Sequence, residues 1–469
     1  MVVLSTLIHA VLSALAGVAA PLSSQAESPQ AAAPRPPSLL VISVDALRRE
    51  HLGVYGYERA TSPTIDALFA QSVVFDNAYA PITRPLPAHV SIWTASWPHH
   101  HGVVAHGGIK NVFASSESRR SAVELLAKQG AKTTAFVSSY MLGKVSGLSA
   151  GFEFVDEPKR ADAGLREIAR TPAEIAERAG RWLELQGKSQ FALWAHFEAP
   201  AEPNEPDPKL VTRFRGDGRA GALIEARGIE PQRFQLGYPT LLVIRMLFPE
   251  LEGTVNPTPD LPLPAIERST FEALFDRYDA DVRAVDDAVG QLLARLETSG
   301  LADSTVVVFV GAYGQALGER GNLGGGETTL EAARAPLAIR FPKSLGIAPR
   351  RIATLASTID ALPTALAPAY PQVAAALAAQ GDGRNLLAEG AEREFVLTQR
   401  TRRENARNDP GPIYAWRSNE WTYVHRPELS DYLFDRRADP QELENLFAKS
   451  PERAAELRKR ALADFGLAK

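Results

Sequence analysis

The first residue of this 469-residue chain placed to do chemistry is a carboxylate, Asp45. It follows SLLVISV, residues 38–44, a short apolar and β-branched run of the kind that a buried parallel strand needs. The acid therefore stands where such a strand would open onto a crevice. A second concentration of reactive side chains is His99-His100-His101, which invites a metal-site reading. Three adjacent imidazoles cannot all face one ion in regular structure, so the triplet reads as structural. The chain has no cysteine, which excludes disulfides, thiolate metal sites and a cysteine-derived nucleophile. Lys plus Arg is 51 and Asp plus Glu is 55, a net charge of −4. That balance calls for neither nucleic acid nor an anionic membrane as partner. The 45% hydrophobic and 23% charged residues are those of a globular chain, not a disordered or fibrous one.

The elements that must hold these residues alternate. Ser62-Pro63 starts a predicted helix with the apolar face Ile65, Leu68, Phe69 and Val73. Further helices are expected around residues 123–126, stopped by Gly130, and over 173–185 and 271–296. Strands are expected over 133–138, 191–197, 305–310 and 336–341. This alternation predicts an α/β fold, a central mainly parallel sheet flanked by helices. Residues 200–264 are rich in proline and read as an insertion over the crevice mouth. From about residue 390 the pattern changes to short strands at Phe395-Val-Leu, Trp421-Thr-Tyr-Val and Tyr432-Leu-Phe, then a charged helix from Pro451. That predicts a smaller C-terminal antiparallel sheet plus helix. The expected divisions are an α/β domain over 38–368 and a C-terminal subdomain over 369–469. At the amino end, residues 1–26 hold no Asp, Glu, Lys or Arg, and the apolar run from Val2 to Ala20 leads to Ser24-Gln25-Ala26. These features predict a signal peptide, with residues 27–37 as a Pro/Ala-rich linker. Export to the periplasm or outside the cell follows, with no membrane span after cleavage.

Several segments in fixed order resemble the sulfatase family of the alkaline-phosphatase superfamily. They are LLVISVDALRREHLGVYGYERATSPTIDALFAQSVVFDNAYAP (39–81), LPAHVSIWTASWPHHHGV (86–103) and YDADVRAVDDAVGQLLARL (278–296). TVVVFVGAYGQALGERG (305–321), ARAPLAIRFP (333–342), IDALPTAL (359–366), DGRNLL (382–387) and YLFDRRADPQELENL (432–446) complete the set. The resemblance implies a crevice holding a divalent cation (Ca, Mg, Mn or Zn) and a nucleophile that attacks sulfur or phosphorus. That nucleophile is formylglycine made from Cys or Ser, or an unmodified Thr or Ser. Hard cations need clustered anionic oxygens, and transfer needs an activated oxygen nucleophile beside them.

Set against that pattern, residue by residue, the sequence is depleted. The family's first strand ends in two metal-ligating positions; here they are Asp45 and Ala46, so one carboxylate survives, and capping of the following turn is its expected role. The nucleophile position is Pro85, which has no side-chain oxygen, while a gapped alignment offers Thr83 instead. His89 stands where the family keeps Arg or His beside the nucleophile; otherwise it is a helix-start histidine bonded to backbone. The ligand pair after the TVVVFV strand becomes Ala312 and Tyr313, and Tyr313 could donate to a bound anion. The family's substrate-contacting His or Lys segment is Gly324-Gly325-Gly326, and Glu319 supports the loop's fold. In HFEAPAEPN, His196, Pro200 and Pro203 match, while the Asp, second His and Tyr positions are Ala199, Ala201 and Asn204. Arg48, Arg49 and His106 are candidates to line the crevice, Arg48 as a ligand-binding residue.

Three readings stay open. The first is a pseudo-sulfatase without hydrolase activity, carrying a vestigial Asp45 and no cofactor, that binds a sulfated or phosphorylated ligand or a partner. The second is a sulfuric or phosphoric ester hydrolase with a rearranged site, using Thr83 as nucleophile with Asp45, His89, His196 and a divalent cation. The third is a structural envelope protein making contacts through residues 200–264.

Overall fold

The computed structural model describes residues 35–105, 111–159, 169–187, 189–201, 205–229, 268–402 and 411–468. The expected signal peptide, His106, Pro203, Asn204 and most of the proline-rich 200–264 stretch lie outside these residues. Residues 36–469 belong to one compact unit.

Strands β1 (Ser38–Val44), β2 (Val73–Tyr79), β3 (Lys132–Val137), β4 (Phe154–Asp156), β5 (Phe191–Phe197) and β6 (Thr305–Gly311) are followed by a short antiparallel pair, β7 (Ala316–Leu317) and β8 (Leu323–Gly324). Strands β9 (Leu337–Arg340) and β10 (Arg350–Ser357) complete the main sheet, in the order β10-β2-β9-β6-β1-β5-β3-β4. Only β9 runs antiparallel to its neighbours, β2 and β6. The sheet is therefore mainly parallel, as the alternation of elements predicts.

Strands β1, β5 and β6 are buried along their whole length, which is why they read as unbroken apolar runs. Successive side chains still go to opposite faces. Leu39, Val41, Trp194, Val306 and Val308 pack on one face beneath Val90 and Trp93 of the Pro85–Thr94 helix. Leu40, Ile42, Val44, Val307 and Phe309 pack on the other, against the Pro63–Ala70, Pro172–Glu184 and Arg268–Thr298 helices.

One local reading is corrected, and further elements are added. Val73 is not on the first helix, which ends at Ala70; it opens β2. β2 and its partner β10 escape a periodicity search because Asp76-Asn77 interrupts the first and exposed Arg350-Arg351 starts the second at the sheet edge, where charge discourages further pairing. Within the proline-rich stretch, Pro208–Phe214 and Arg219–Ala226 are helices.

A second, antiparallel sheet runs β11 (Val396–Arg400), β12 (Ile413–Arg417), β13 (Trp421–His425) and β14 (Tyr432–Asp435). The Pro451–Asp464 helix packs Leu457 and Ala461 onto Trp416, Tyr423 and Leu433 of this sheet. No helix among the described residues is long and apolar enough to cross a membrane.

Candidate functional site

Strand parity decides what meets at the carboxyl ends of the sheet. Ser43 is two residues beyond Val41, and His196 two beyond Trp194, so both continue the face covered by the Pro85–Thr94 helix. The β1–β5 register sets Ser43 directly beside His196. Asp45 continues that side past the end of β1, and Ala312 does so past β6. The helix starts with Pro85 in its first turn and carries His89 one turn later.

The result is a fully buried cluster of Asp45, His89 and His196, each 0% exposed. Ser138 donates its backbone N–H to His196 Nδ1 at 3.2 Å. The proton of that ring therefore sits on Nε2, which donates to Asp45 Oδ2 at 3.1 Å. His89 Nδ1 lies 2.8 Å from the Pro85 carbonyl and donates to it. Its Nε2 lies 3.0 Å from Ser43 Oγ, which itself accepts from Trp194 Nε1 at 2.8 Å. The Ser43 proton is thus directed at His89 Nε2. Asp45 Oδ1 lies 3.8 Å from His89 Nδ1 and accepts no hydrogen bond. Burial pushes the Asp45 carboxyl up to about 7, against the opposing influence of His89, and burial pushes His196 down to about 3, which keeps it neutral.

One atom from each of Asp45, His89 and His196 lies within 4.8 Å of the others, a spacing that brings a mixed carboxylate–imidazole set within reach of one cation. Directions matter as much as spacing. All four ring nitrogens already point at protein partners, and of the ligand atoms of this trio Asp45 Oδ1 alone has no hydrogen-bond partner. This set does not match the oxygen-rich shell that a hard dication requires.

The other expected site residues fall as follows. Asp45 does not cap the turn after β1: its carboxylate faces the histidines. Ala46 and Ala312 are buried methyls, and Ala46 adopts a left-handed φ of 52°. Thr83 is buried and its hydroxyl donates to the Glu327 carbonyl at 2.8 Å. Tyr313 is 4% exposed, its ring lying over the Cα of Gly325: a Cβ there would be 3.2 Å from Tyr313 Cε2 and 3.3 Å from the Thr83 carbonyl. Arg48 is in a separate network, donating to Glu319 Oε1 at 2.6 Å. Burial alone would raise Glu319, but Arg48 and Arg227 outweigh it and hold the carboxyl at about 2. Arg49 stacks over Tyr55. The three adjacent histidines diverge: His101 meets Ser91 Oγ and the Val103 amide, His100 faces Asp382, and His99 lies near Gln399.

Sequence reasoning missed Ser43, Ser138 and Trp194, which hold the two imidazoles. Ser43 was detectable as a polar residue in an otherwise apolar strand, on the same side as Asp45. It also missed the buried His51–Asp279 pair at 2.7 Å, to which Tyr57 and Arg59 both donate.

A mainly parallel sheet sandwiched by helices, with its side-chain cluster at the carboxyl ends and a small antiparallel sheet beyond, is the alkaline-phosphatase-like architecture. The chain matches the Sulfatase family model over residues 37–369 and belongs to that family. It is 23% identical to the N-acetylglucosamine-6-O-sulfatase of Bacteroides thetaiotaomicron, over 90% of this chain and 85% of the relative. It is 27% identical to the steryl-sulfatase of Mus musculus, covering 79% and 68%. Among solved structures, the putative sulfatase yidJ of Bacteroides fragilis superposes with a TM-score of 0.71 at 20% identity, covering 92% of this chain and 96% of the other. BT4656, solved in complex with its substrate D-glucosamine-2-N,6-O-disulfate, gives 0.67 at 18% identity, covering 92% and 98%.

Proposed function

We propose that this protein is an exported, catalytically degenerate sulfatase that recognises a sulfated saccharide without hydrolysing it. The observation that carries this reading is the composition of the centre: Pro85, Ala46 and Ala312 stand at the nucleophile and ligand positions implied by the family pattern, and the side chains around them are buried. Nucleophile and metal act as a unit in ester transfer, so losing most of both removes far more than the sum of parts. Against Thr83 as a replacement stands the direction of its proton, which goes to a main-chain carbonyl. The ligand class is supported by relatives whose names give sulfated sugars as their substrates, and export by the uncharged apolar run at residues 2–20.

The test pairs two assays on the untagged protein. Titration calorimetry with glucosamine 6-sulfate is expected to give saturable binding, while incubation with 4-methylumbelliferyl sulfate releases no fluorophore above a buffer blank. Turnover that disappears in Thr83→Ala would overturn the proposal, and so would failure to bind any sulfated saccharide in a panel.

A second reading, a hydrolase with a rearranged site, is favoured by the convergence of Asp45, His89 and His196 and by the sulfatase names of the relatives. In that reading the trio holds the cation and Thr83 attacks sulfur or phosphorus. The Thr83→Ala comparison separates the two.

A further inference from the structure

We infer that two chains of hydrogen bonds occupy the centre in place of the family's divalent ion, so that this protein is a metal-free member of its family. An imidazole nitrogen has one direction in the ring plane along which it can donate, accept or ligate. In this centre the four directions are taken by Pro85 O, Ser43 Oγ, Ser138 N and Asp45 Oδ2, at 2.8, 3.0, 3.2 and 3.1 Å.

Ligation by His196 Nε2 would require its proton to move to Nδ1. There the Ser138 amide hydrogen already points at the nitrogen, and an amide cannot give that hydrogen up. The ion would have to break a link between the end of β3 and β5. Ligation by His89 Nε2 would detach Ser43 Oγ, which is also the acceptor for Trp194 Nε1. What remains is the single carboxylate of Asp45, its Oδ1 unpartnered and its Oδ2 already accepting from His196, while Ala46 and Ala312 supply no ligand atom. Six to eight oxygens are usual for calcium, and magnesium demands a near-octahedral shell. One carboxylate is neither.

The two histidines are therefore assigned opposite tautomers, His89 protonated on Nδ1 and His196 on Nε2. Each tautomer is fixed at one nitrogen by a residue outside the family's metal-ligand positions, His89 by Ser43, itself bonded to Trp194, and His196 by Ser138. This inference deepens the non-hydrolytic reading but does not depend on any ligand.

The experiment uses tagless full-length protein expressed with calcium, magnesium, manganese and zinc in the medium. Elemental analysis after dialysis is expected to find less than about half an equivalent of any divalent ion. The melting temperature should move by less than about 2 °C with EDTA, calcium or zinc. In 15N-histidine-labelled protein, two-bond 15N–1H correlations, assigned with His89→Gln and His196→Gln, should give the two tautomers stated, unchanged by added zinc. A retained equivalent, a larger rise in melting temperature that vanishes in Asp45→Asn, or a metal-induced shift at either ring would overturn the inference. A protein that held zinc but hydrolysed nothing would sink this inference and leave the proposed function standing; one that held no metal yet hydrolysed esters would do the reverse.

Discussion

Ser43 shows how much one hydroxyl can decide in a dry site. It accepts from Trp194 and donates to His89, both buried. Ser43→Ala strips a donor from His89 Nε2 and an acceptor from Trp194 Nε1 while adding no bulk. Leaving buried polar atoms unpaired costs about 1–3 kcal/mol each, so urea unfolding should report a loss of about 2 kcal/mol or more. A change below about 0.5 kcal/mol, the range of an uneventful surface substitution, would mean that water reaches these atoms. Titration is also set at this scale. Burial first, and neighbouring positive groups second, push His101 down to about 3. Burial likewise pushes His51 down to about 4, although Asp279 works against it. Both folded values lie below the unfolded 6.5, so each residue contributes stability that is present above pH 6.5 and is lost as pH falls toward 3–4. Each adds a slope of up to about 1.4 kcal/mol per pH unit. Melting temperatures measured from pH 7 to pH 4 should fall steadily, and less steeply in His101→Gln. A His101→Gln profile as steep as that of the unaltered protein would show that this imidazole is not buried neutral.

At the scale of elements, the glycines at and just beyond the end of β8 set how closely this loop approaches Thr83, Arg84 and Tyr313. Gly326 has φ of 94°, and a Cβ there would lie 2.7 Å from the Arg84 guanidinium; Gly325 would meet its nearest neighbour only at 3.2 Å. Gly326→Ala combines a left-handed backbone, costing about 1–2 kcal/mol, with displacement of Arg84, whereas Gly325→Ala needs shifts of a few tenths of an ångström. Denaturant unfolding should rank Gly326→Ala clearly below Gly325→Ala; equal stabilities would contradict the packing described. The elements also mark the limit of legibility. β1, β5 and β6 were readable because two buried faces demand unbroken apolar sequence. β2 was not, because its identity comes from pairing with β10 and β9 rather than from its own pattern. In the site, Asp45, His89 and His196 were found through aligned motifs. Their hydrogen-bond partners were not, because Ser138 reaches His196 only through the β3–β5 pairing.

For the whole molecule, the joint between the large sheet and the C-terminal residues is a buried ion pair. Asp360, in the IDALPTAL segment, accepts from Arg393 Nε at 2.6 Å and also from the Ser357 and Arg384 amides. Arg393 in turn lies over the Trp97 ring and reaches the Asp382 carbonyl. Removing one partner strands a buried charge, which typically costs about 3–5 kcal/mol. Arg393→Ala should therefore lower the urea midpoint far more than Arg437→Ala, whose pair with Glu420 is exposed on both sides. Comparable midpoints would show that the joint is wet.

One detail of the main chain reaches beyond stability. Ala46 holds its left-handed conformation because the Tyr278 hydroxyl donates to its carbonyl while accepting the Arg48 amide. Alanine is a poor occupant of that region, whereas aspartate and asparagine enter it with less penalty. The peptide here already takes a conformation that aspartate or asparagine would enter more readily than alanine does. A designer wishing to graft oxygen ligands back would find the template for position 46 already cast.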